Sequence, residues 1–316
     1  MNYLPDCLKA LQAQSYPSID LVVVDNASRD ESAEWIARHY PAIRLERLGT
    51  NTGFCHAFNL GVKISSGEFV LSLNPDVTAR PDFVENLLCE ALRDERIGIV
   101  APKLLRADNP EKIDSTGLLI DRQRRPYDRG QMEPDRGQYD GSREIFGACG
   151  AAALYRRSML EDVACQGEFL DEDFFAYYED VDLAWRANLQ GWKAAYAPGA
   201  VALHMRGWGD TLRKNRQKTN HLGPRLALRN RYLMILKNDS FGDFLLDLPW
   251  IFLPDIPRLV YIALFKTEAL GAVMDFIRLY ASARVKRKLI HERVVSRTKP
   301  FRALFVNPKH KYLNQP

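Results

Sequence analysis

The chain has 316 residues, 46% hydrophobic and 27% charged, an ordinary globular composition with apolar material for one large domain or two smaller ones. Five scattered cysteines without a CxxC pair argue against a disulfide framework and a zinc cluster, and read as reduced, mostly buried thiols of a cytosolic protein. The net charge of +4 hides an asymmetry: from Met205 onward 22 Lys and Arg face 8 Asp and Glu, a balance of +14, so the preceding part carries −10.

The first residues are polar and proline-broken, so no signal peptide is expected. Leu4 to Leu11 carries apolar residues at helical spacing, and Ile19-Asp20-Leu21-Val22-Val23-Val24 reads as a buried, parallel-type strand closed by Asp25-Asn26-Ala27-Ser28. A helix opening at Ser28–Ser32 and a short strand at 43–47 follow. This alternation implies an α/β sheet, in which ligands gather at the carboxyl ends of strands. Asp25 stands at such an end. Asn51-Thr52-Gly53-Phe54, with Asn59 and Gly61, leads into a helix ending at Ser65-Ser66-Gly67. Glu68 to Leu73 is a second central strand, terminated by Asn74-Pro75-Asp76 because proline offers no N–H to a sheet ladder. Alone, that tripeptide is a turn. As a second carboxylate on the edge that carries Asp25, Asp76 suits a hard divalent cation of the kind a nucleotide diphosphate needs.

A helix over 81–93 and a short strand over 97–101 come next, followed by a loop-rich insertion from Arg106 to Arg143 with a hairpin near Leu118-Leu119-Ile120. The small residues of 146–154 sit in a strand-like place that permits close approach, and Gly147-Ala148-Cys149-Gly150 does not match a dinucleotide fingerprint, which speaks against NAD. In Phe174 to Arg186, aromatic residues lead into Glu179, Asp180 and Asp182, where a helix begins. Acidic residues at a helix start have a plain structural reading, with Asp182 pairing to Arg186 one turn on. The distant Asp76 adds a catalytic one. Two further strands, over 194–198 and 201–203, lead to His204, which can lend nitrogen to a metal held by Asp76.

From Thr211 the chain is basic and helical in pattern. Residues 244–265 are strongly apolar but contain Asp247, Asp255, Arg258 and three prolines, which excludes a spanning helix. Two readings stay open. One is an interfacial helix with Arg284-Val285-Lys286-Arg287-Lys288 facing anionic lipid; the other is a helical subdomain packed on the preceding domain. The tail lacks a recognisable nucleic-acid-binding fold or aromatic platform, so no nucleic acid partner is expected.

Val24-Asp25-Asn26-Ala27-Ser28-Arg29-Asp30-Glu31-Ser32, Asn51-Thr52-Gly53-Phe54 with Asn59 and Gly61, Leu73-Asn74-Pro75-Asp76-Val77, Phe175-Ala176-Tyr177-Tyr178-Glu179-Asp180-Val181-Asp182 and His204 together resemble the family 2 glycosyltransferases, within them the rhamnosyltransferase-like branch of bacterial surface-polysaccharide enzymes. The resemblance implies a GT-A fold, a mixed sheet flanked by helices, over 1–210, followed by a basic, amphipathic helical region over 211–316. It implies a hexosyltransferase that uses a nucleotide-sugar donor, such as dTDP-L-rhamnose, and a glycan or lipid-linked acceptor. On this reading Asp25 bonds the base or ribose, Asn51, Gly53, Asn59 and Asn74 line the donor pocket, and Asp76 with His204 holds Mg2+ or Mn2+ on the diphosphate. Asp180 is the general base and Glu179 orients it. The expected location is cytoplasmic, peripheral at the inner face of the plasma membrane.

Two departures accompany the resemblance. Family members normally begin with an apolar strand before the first helix, and this chain opens without it, which predicts an unpaired central edge and weakened folding or donor binding. Asn74 stands where the commoner acidic motif has aspartate, one carboxylate fewer for the metal. A nucleotidyltransferase would want a Gly- and Lys-rich phosphate loop that is not seen here, and a catalytically impaired sugar-nucleotide-binding protein is the other alternative.

Overall fold

Helix α1 (Leu4–Gln12) and helix α2 (Ser32–His39) flank strands β1 (Val22–Asp25) and β2 (Arg44–Arg47), which pair in parallel with Asp25 opposite Arg47. The computed structural model describes residues 1–206, 222–257, 260, 270–294 and 305–306. Helix α3 (Phe54–Ile64), strands β3 (Phe69–Leu73) and β4 (Val77–Ala79), helix α4 (Phe83–Ala91) and strand β5 (Ile97–Arg106) follow. β5 belongs to a seven-stranded mixed sheet with β10 (Ala152–Arg156) and β11 (Lys193–His204), in the order β3-β10-β5-β11-β4. β10 runs antiparallel to β3 and β5, and β11 runs parallel to β5.

Strand side chains alternate between faces, so neighbours in sequence serve different cores. Ala153, Tyr155, Ala194 and Tyr196 pack with Phe174 and Trp185, whereas Ala152, Leu154, Ala195 and Ala197 pack with Phe83 and Leu87 of α4. The first cluster rests on α5 (Arg157–Val163) and α6 (Glu179–Leu189), and the expected Asp182 to Arg186 pair closes at 3.0 Å, fully buried. The two short strands expected over 194–203 are one strand, β11, with an irregularity between Ala197 and Val201.

The expected loop-rich insertion is more ordered than its composition suggests. β6 (Asn109–Ser115) returns along β5, and β7 (Leu118–Asp121) pairs with β8 (Pro126–Asp128) and with the short β12 (Phe305–Val306), while β9 (Glu144–Ile145) pairs with β11. Polar bonds here stand in for apolar periodicity. Buried Arg129 bonds Thr116 and Ser142, and Lys103 reaches Asp135 and Asp140.

Three C-terminal helices are described: α7 (Leu222–Asn238), α8 (Phe241–Phe252) and α9 (Leu270–Glu292). The expected boundary at 210/211, residues 211–221 of the basic tail and residues 261–265 of the apolar stretch lie outside the described residues. Buried Lys237 binds Asp171 and, at 3.0 Å, Asp182; Lys286 binds Asp171, Asp173 (2.9 Å) and Glu168 (3.2 Å). This corrects the idea that the run 284–288 faces lipid as a unit. Lys286 is buried on the carboxylates of Asp171, Asp173 and Glu168, and Arg287 donates to the backbone carbonyls of Leu236 and Asp239, which leaves Arg284 and Lys288 outward.

β1 and β3 do not meet. Among the described residues the second edge of each is unpaired, and a trough of about 1290 Å³, lined by Val22, Val24, Phe69, Leu71 and Leu8, separates them.

Candidate active site

Three groups of side chains stand where β1 ends in its two-stranded sheet, where β3 and β11 end in the larger one, and at the head of α6. At the first, Asp25 is buried and its Oδ1 accepts the Ser28 N–H at 3.2 Å. Asn26 was not singled out in the sequence, yet its side chain ties β1 to the next loop. Oδ1 accepts the Thr52 N–H (2.9 Å) and Nδ2 donates to the Gly53 carbonyl (2.9 Å). Asn51 Oδ1 accepts the Gly53 N–H at 3.0 Å, a local turn that sets Gly53 at φ +87°. A Cβ on Gly53 would lie 2.6 Å from the Phe175 carbonyl oxygen, which also accepts the Cys55 N–H at 3.1 Å. Only glycine allows that approach. Asn59 is buried, and its amide bonds Leu170 N (2.8 Å), Leu170 O (2.8 Å) and Glu172 (3.0 Å), so it braces the segment before the acidic motif.

At the second group, Asn74 anchors the end of β3 by donating its N–H to the Ala151 carbonyl (2.9 Å), and the chain turns so that β4 pairs with β11 and Val77 lies opposite His204. This brings His204 Nε2 within 3.6 Å of Asp76 Oδ2. The other ring nitrogen, Nδ1, bonds fully buried Asp114 at 2.7 Å, which fixes the ring. Burial opposes a charged imidazole, but Asp114 and Asp76 override it and push the His204 pKa up to about 9. Arg206 pairs with Asp114 and, at 2.6 Å, with Asp128. Neither Asp114, Arg206 nor Asp128 shows in a local motif; His204 two residues before Arg206 was the available signal.

An oxygen and a nitrogen 3.6 Å apart can both reach one divalent ion, since two bonds of about 2.1 Å span up to roughly 4.2 Å. Among the described residues no set of three or more His, Cys, Asp or Glu side chains surrounds a metal position. The pair therefore suits an ion that takes most of its ligands from phosphate and water.

The third group is the acidic helix start. Phe175, Tyr177 and Tyr178 all have positive φ (65°, 70° and 70°), a costly run for residues other than glycine. Fully buried Asn230 on α7 holds it: Nδ2 donates to the carbonyls of Phe174 (2.9 Å), Ala176 (2.8 Å) and Tyr177 (2.8 Å), and Arg229 adds bonds to Asp173 and Phe174. The loop delivers Glu179 and Asp180 to the N-terminus of α6. Asp180 accepts the Gly150 N–H through Oδ2 (3.0 Å) and the Val181 N–H through Oδ1 (2.8 Å). Oε2 of Glu179 is buried with no hydrogen-bond partner among the described residues. Burial raises both carboxyl pKa values, that of Glu179 further because of the Asp180 charge, whereas the Gly150 and Val181 N–H groups oppose the rise at Asp180; of the two, Glu179 is the one that holds its proton more tightly.

Glu179 and Asp180 line a cavity of about 250 Å³ with Tyr127, Asp128, Tyr177 and Tyr178. Asp76 and His204 lie outside it but next to it along the backbone: Asn74 bonds Ala151, and Gly150 bonds Asp180. Arg206 bridges the two groups from the side, through Asp114 and Asp128.

A family model described as Glycosyl transferase family 2 matches residues 1–164. The N-acetylglucosaminyl-diphospho-decaprenol L-rhamnosyltransferase of Mycobacterium tuberculosis is 29% identical over 229 residues, covering 64% of this chain and 71% of that protein. Among solved structures, Staphylococcus aureus TarS 1–349 in complex with UDP superposes with a TM-score of 0.55 at 15% identity over 92% of this chain and 83% of that one. GalNAc-T7 with UDP, GalNAc and Mn2+ gives 0.56 at 15% identity over 74% of this chain and 45% of that one. At these identities the two structures share the fold.

Proposed function

The chain belongs to glycosyl transferase family 2 and is a glycosyltransferase of the GT-A fold, and from that premise we propose that it moves L-rhamnose from a dTDP donor, with inversion, onto a lipid-linked or polysaccharide acceptor at the inner face of a bacterial plasma membrane. The observation that carries the catalytic part is the carboxylate pair at the head of α6: Asp180 held by two backbone N–H groups, and beside it Glu179 with a buried oxygen that has no hydrogen-bond partner among the described residues. Inversion needs a base opposite the leaving group to take the acceptor hydroxyl proton as positive charge develops at the anomeric carbon. Asp180 has the charge, the fixed orientation and the neighbouring cavity for that role, and Glu179 keeps it oriented. Asp25, Asn51 and Gly53 shape the donor loop, and Asn74 sets the turn that presents Asp76.

Asp76 and His204 would hold Mg2+ or Mn2+, which when bound neutralises the departing diphosphate. Mn2+ in the solved GalNAc-T7 supports that choice of ion. The choice of L-rhamnose and of a lipid-linked acceptor is supported by the relative whose name carries both.

The test is incubation with a panel of sugar nucleotides, Mn2+ and a polyprenyl-diphosphate-linked acceptor. The expected result is transfer from dTDP-L-rhamnose, with NMR of the product showing the inverted anomeric configuration. Failure to bind or turn over any sugar nucleotide overturns the reading; transfer of a different sugar overturns the donor choice alone.

A further inference from the structure

α8 is amphipathic in an unusual sense, because its outer face carries almost no polarity. Phe241, Leu245, Leu246, Trp250, Leu253 and Ile256, along the helix and the turn after it, are exposed, with Phe241 at 70% and Leu246 and Leu253 each at 63%. The acids of the same stretch point the other way. The carboxylates of Asp247 and Asp255 are buried, the first paired with half-exposed Arg122 and buried Arg124, the second with Arg125, Arg231 and Tyr232, while Asp243 accepts from the Ser240 hydroxyl at the helix start. Large exposed apolar patches on water-soluble surfaces mark contact sites.

We propose that this outer face of α8 is a docking surface for an anionic phospholipid bilayer, with the helix lying in the plane of the headgroups. At 12 residues α8 is about 18 Å long, short of the roughly 30 Å of a hydrocarbon core, and no described helix is long and apolar enough to cross a membrane. Insertion by about one helix radius is what such a face supports. The charge around it fits anionic lipid. Trp250 lies under the Arg122 guanidinium at 4.8 Å, placing an aromatic ring and a cation together as headgroup regions favour. On α9, which contributes to the same core as α8, Val273, Met274, Ile277, Tyr280 and Val285 are exposed together with Arg278 and Arg284; Asp275 is held by Arg225, and Lys288 pairs with Glu292. The inference deepens the reading of a lipid-linked acceptor, since a docked enzyme meets such an acceptor in two dimensions.

Flotation with vesicles of phosphatidylcholine, with and without phosphatidylglycerol, tests it in the absence of donor and acceptor. The full chain should float with the anionic vesicles, with tryptophan emission quenched by brominated acyl chains. The pair Leu246→Glu and Leu253→Glu should lower partitioning by about tenfold or more while leaving the circular dichroism and melting temperature unchanged. Wild-type protein that stays with the soluble fraction overturns the proposal, as does flotation that the pair leaves intact. A dimer that the pair dissolves, seen by light scattering, also overturns it and makes the face a contact between copies. Because no sugar enters the assay, failure here leaves the transferase reading standing, and loss of transfer leaves this result untouched.

Discussion

One proton between Glu179 and Asp180 decides what each residue can do. Replacing Asp180 by Asn removes the base at nearly constant shape, and kcat should fall by about 10²- to 10⁴-fold with donor affinity kept. Glu179→Gln should cost far less, because an amide imitates a protonated carboxyl; equal losses in the two variants would sink the division of roles. Since burial raises both carboxyl pKa values, the acid limb of the kcat/KM profile should lie above the range of an ordinary carboxylate. His204 behaves in the opposite sense. Its pKa, raised to about 9, means that its ion pairs stabilise the metal-free fold fully below the usual histidine value and lose that contribution as pH climbs through 9. A metal must displace the same proton. Mn2+ affinity should therefore increase with pH up to about 9, and calorimetry in buffers of different ionisation enthalpy should show proton release that His204→Ala abolishes.

Two loops and one helix meet at Phe175. Gly53 from the donor loop packs on its backbone from one side, and Asn230 of α7 binds the flanking carbonyls. Asn230→Ala would take the side-chain donor from the Ala176 and Tyr177 carbonyls, leave the Phe174 carbonyl to Arg229 alone, and release a run of positive-φ residues. Steady-state kinetics should show kcat down by about 10²-fold with donor KM little changed, since the loop positions the base and not the nucleotide. A fall in thermal stability without that split would make Asn230 merely structural. Strands β1 and β3 and helix α6 were legible because each carries an uninterrupted apolar period with a punctuating residue at its end. Asn230 was not, since its partners lie more than fifty positions earlier and nothing local distinguishes an asparagine flanked by arginines. The hairpin expected near Leu118-Leu119-Ile120 is β7 with β8, but the order around it was hidden for a related reason: buried Arg124 and Arg129 spend their charge inside, where a sequence reading places arginine in solvent. The bracing role of Asn59 was equally out of sight, since Leu170 and Glu172, which its amide binds, lie more than a hundred positions on.

Across the molecule, Asp171 joins the catalytic part to the C-terminal helices. Burial would raise its pKa, but Lys237 and Lys286 override that and hold it well below the usual carboxylate range. Its contribution to stability is present above the ordinary carboxylate pKa and is lost as pH falls toward the depressed one. Lys237→Met, which strands buried carboxylates, should destabilise the fold by about 3–5 kcal/mol in urea unfolding. A value below about 1 kcal/mol would show that this junction is dispensable.

The trough between β1 and β3 has a consequence for how the molecule breathes. Among the described residues no peptide ladder crosses it, so the strand pair carrying Asp25 is tethered to the rest by side-chain packing, by the Asn26 bridge and by Arg44, which donates to the Ile64 carbonyl at 2.7 Å. Amide hydrogen exchange should be orders of magnitude faster in β1 and β2 than in β5 and β11. Two bare edges facing one another form a seam into which an extended chain can zip, so a short peptide of β-branched residues added in trans should slow that exchange, and crowded solutions without it should turn cloudy first.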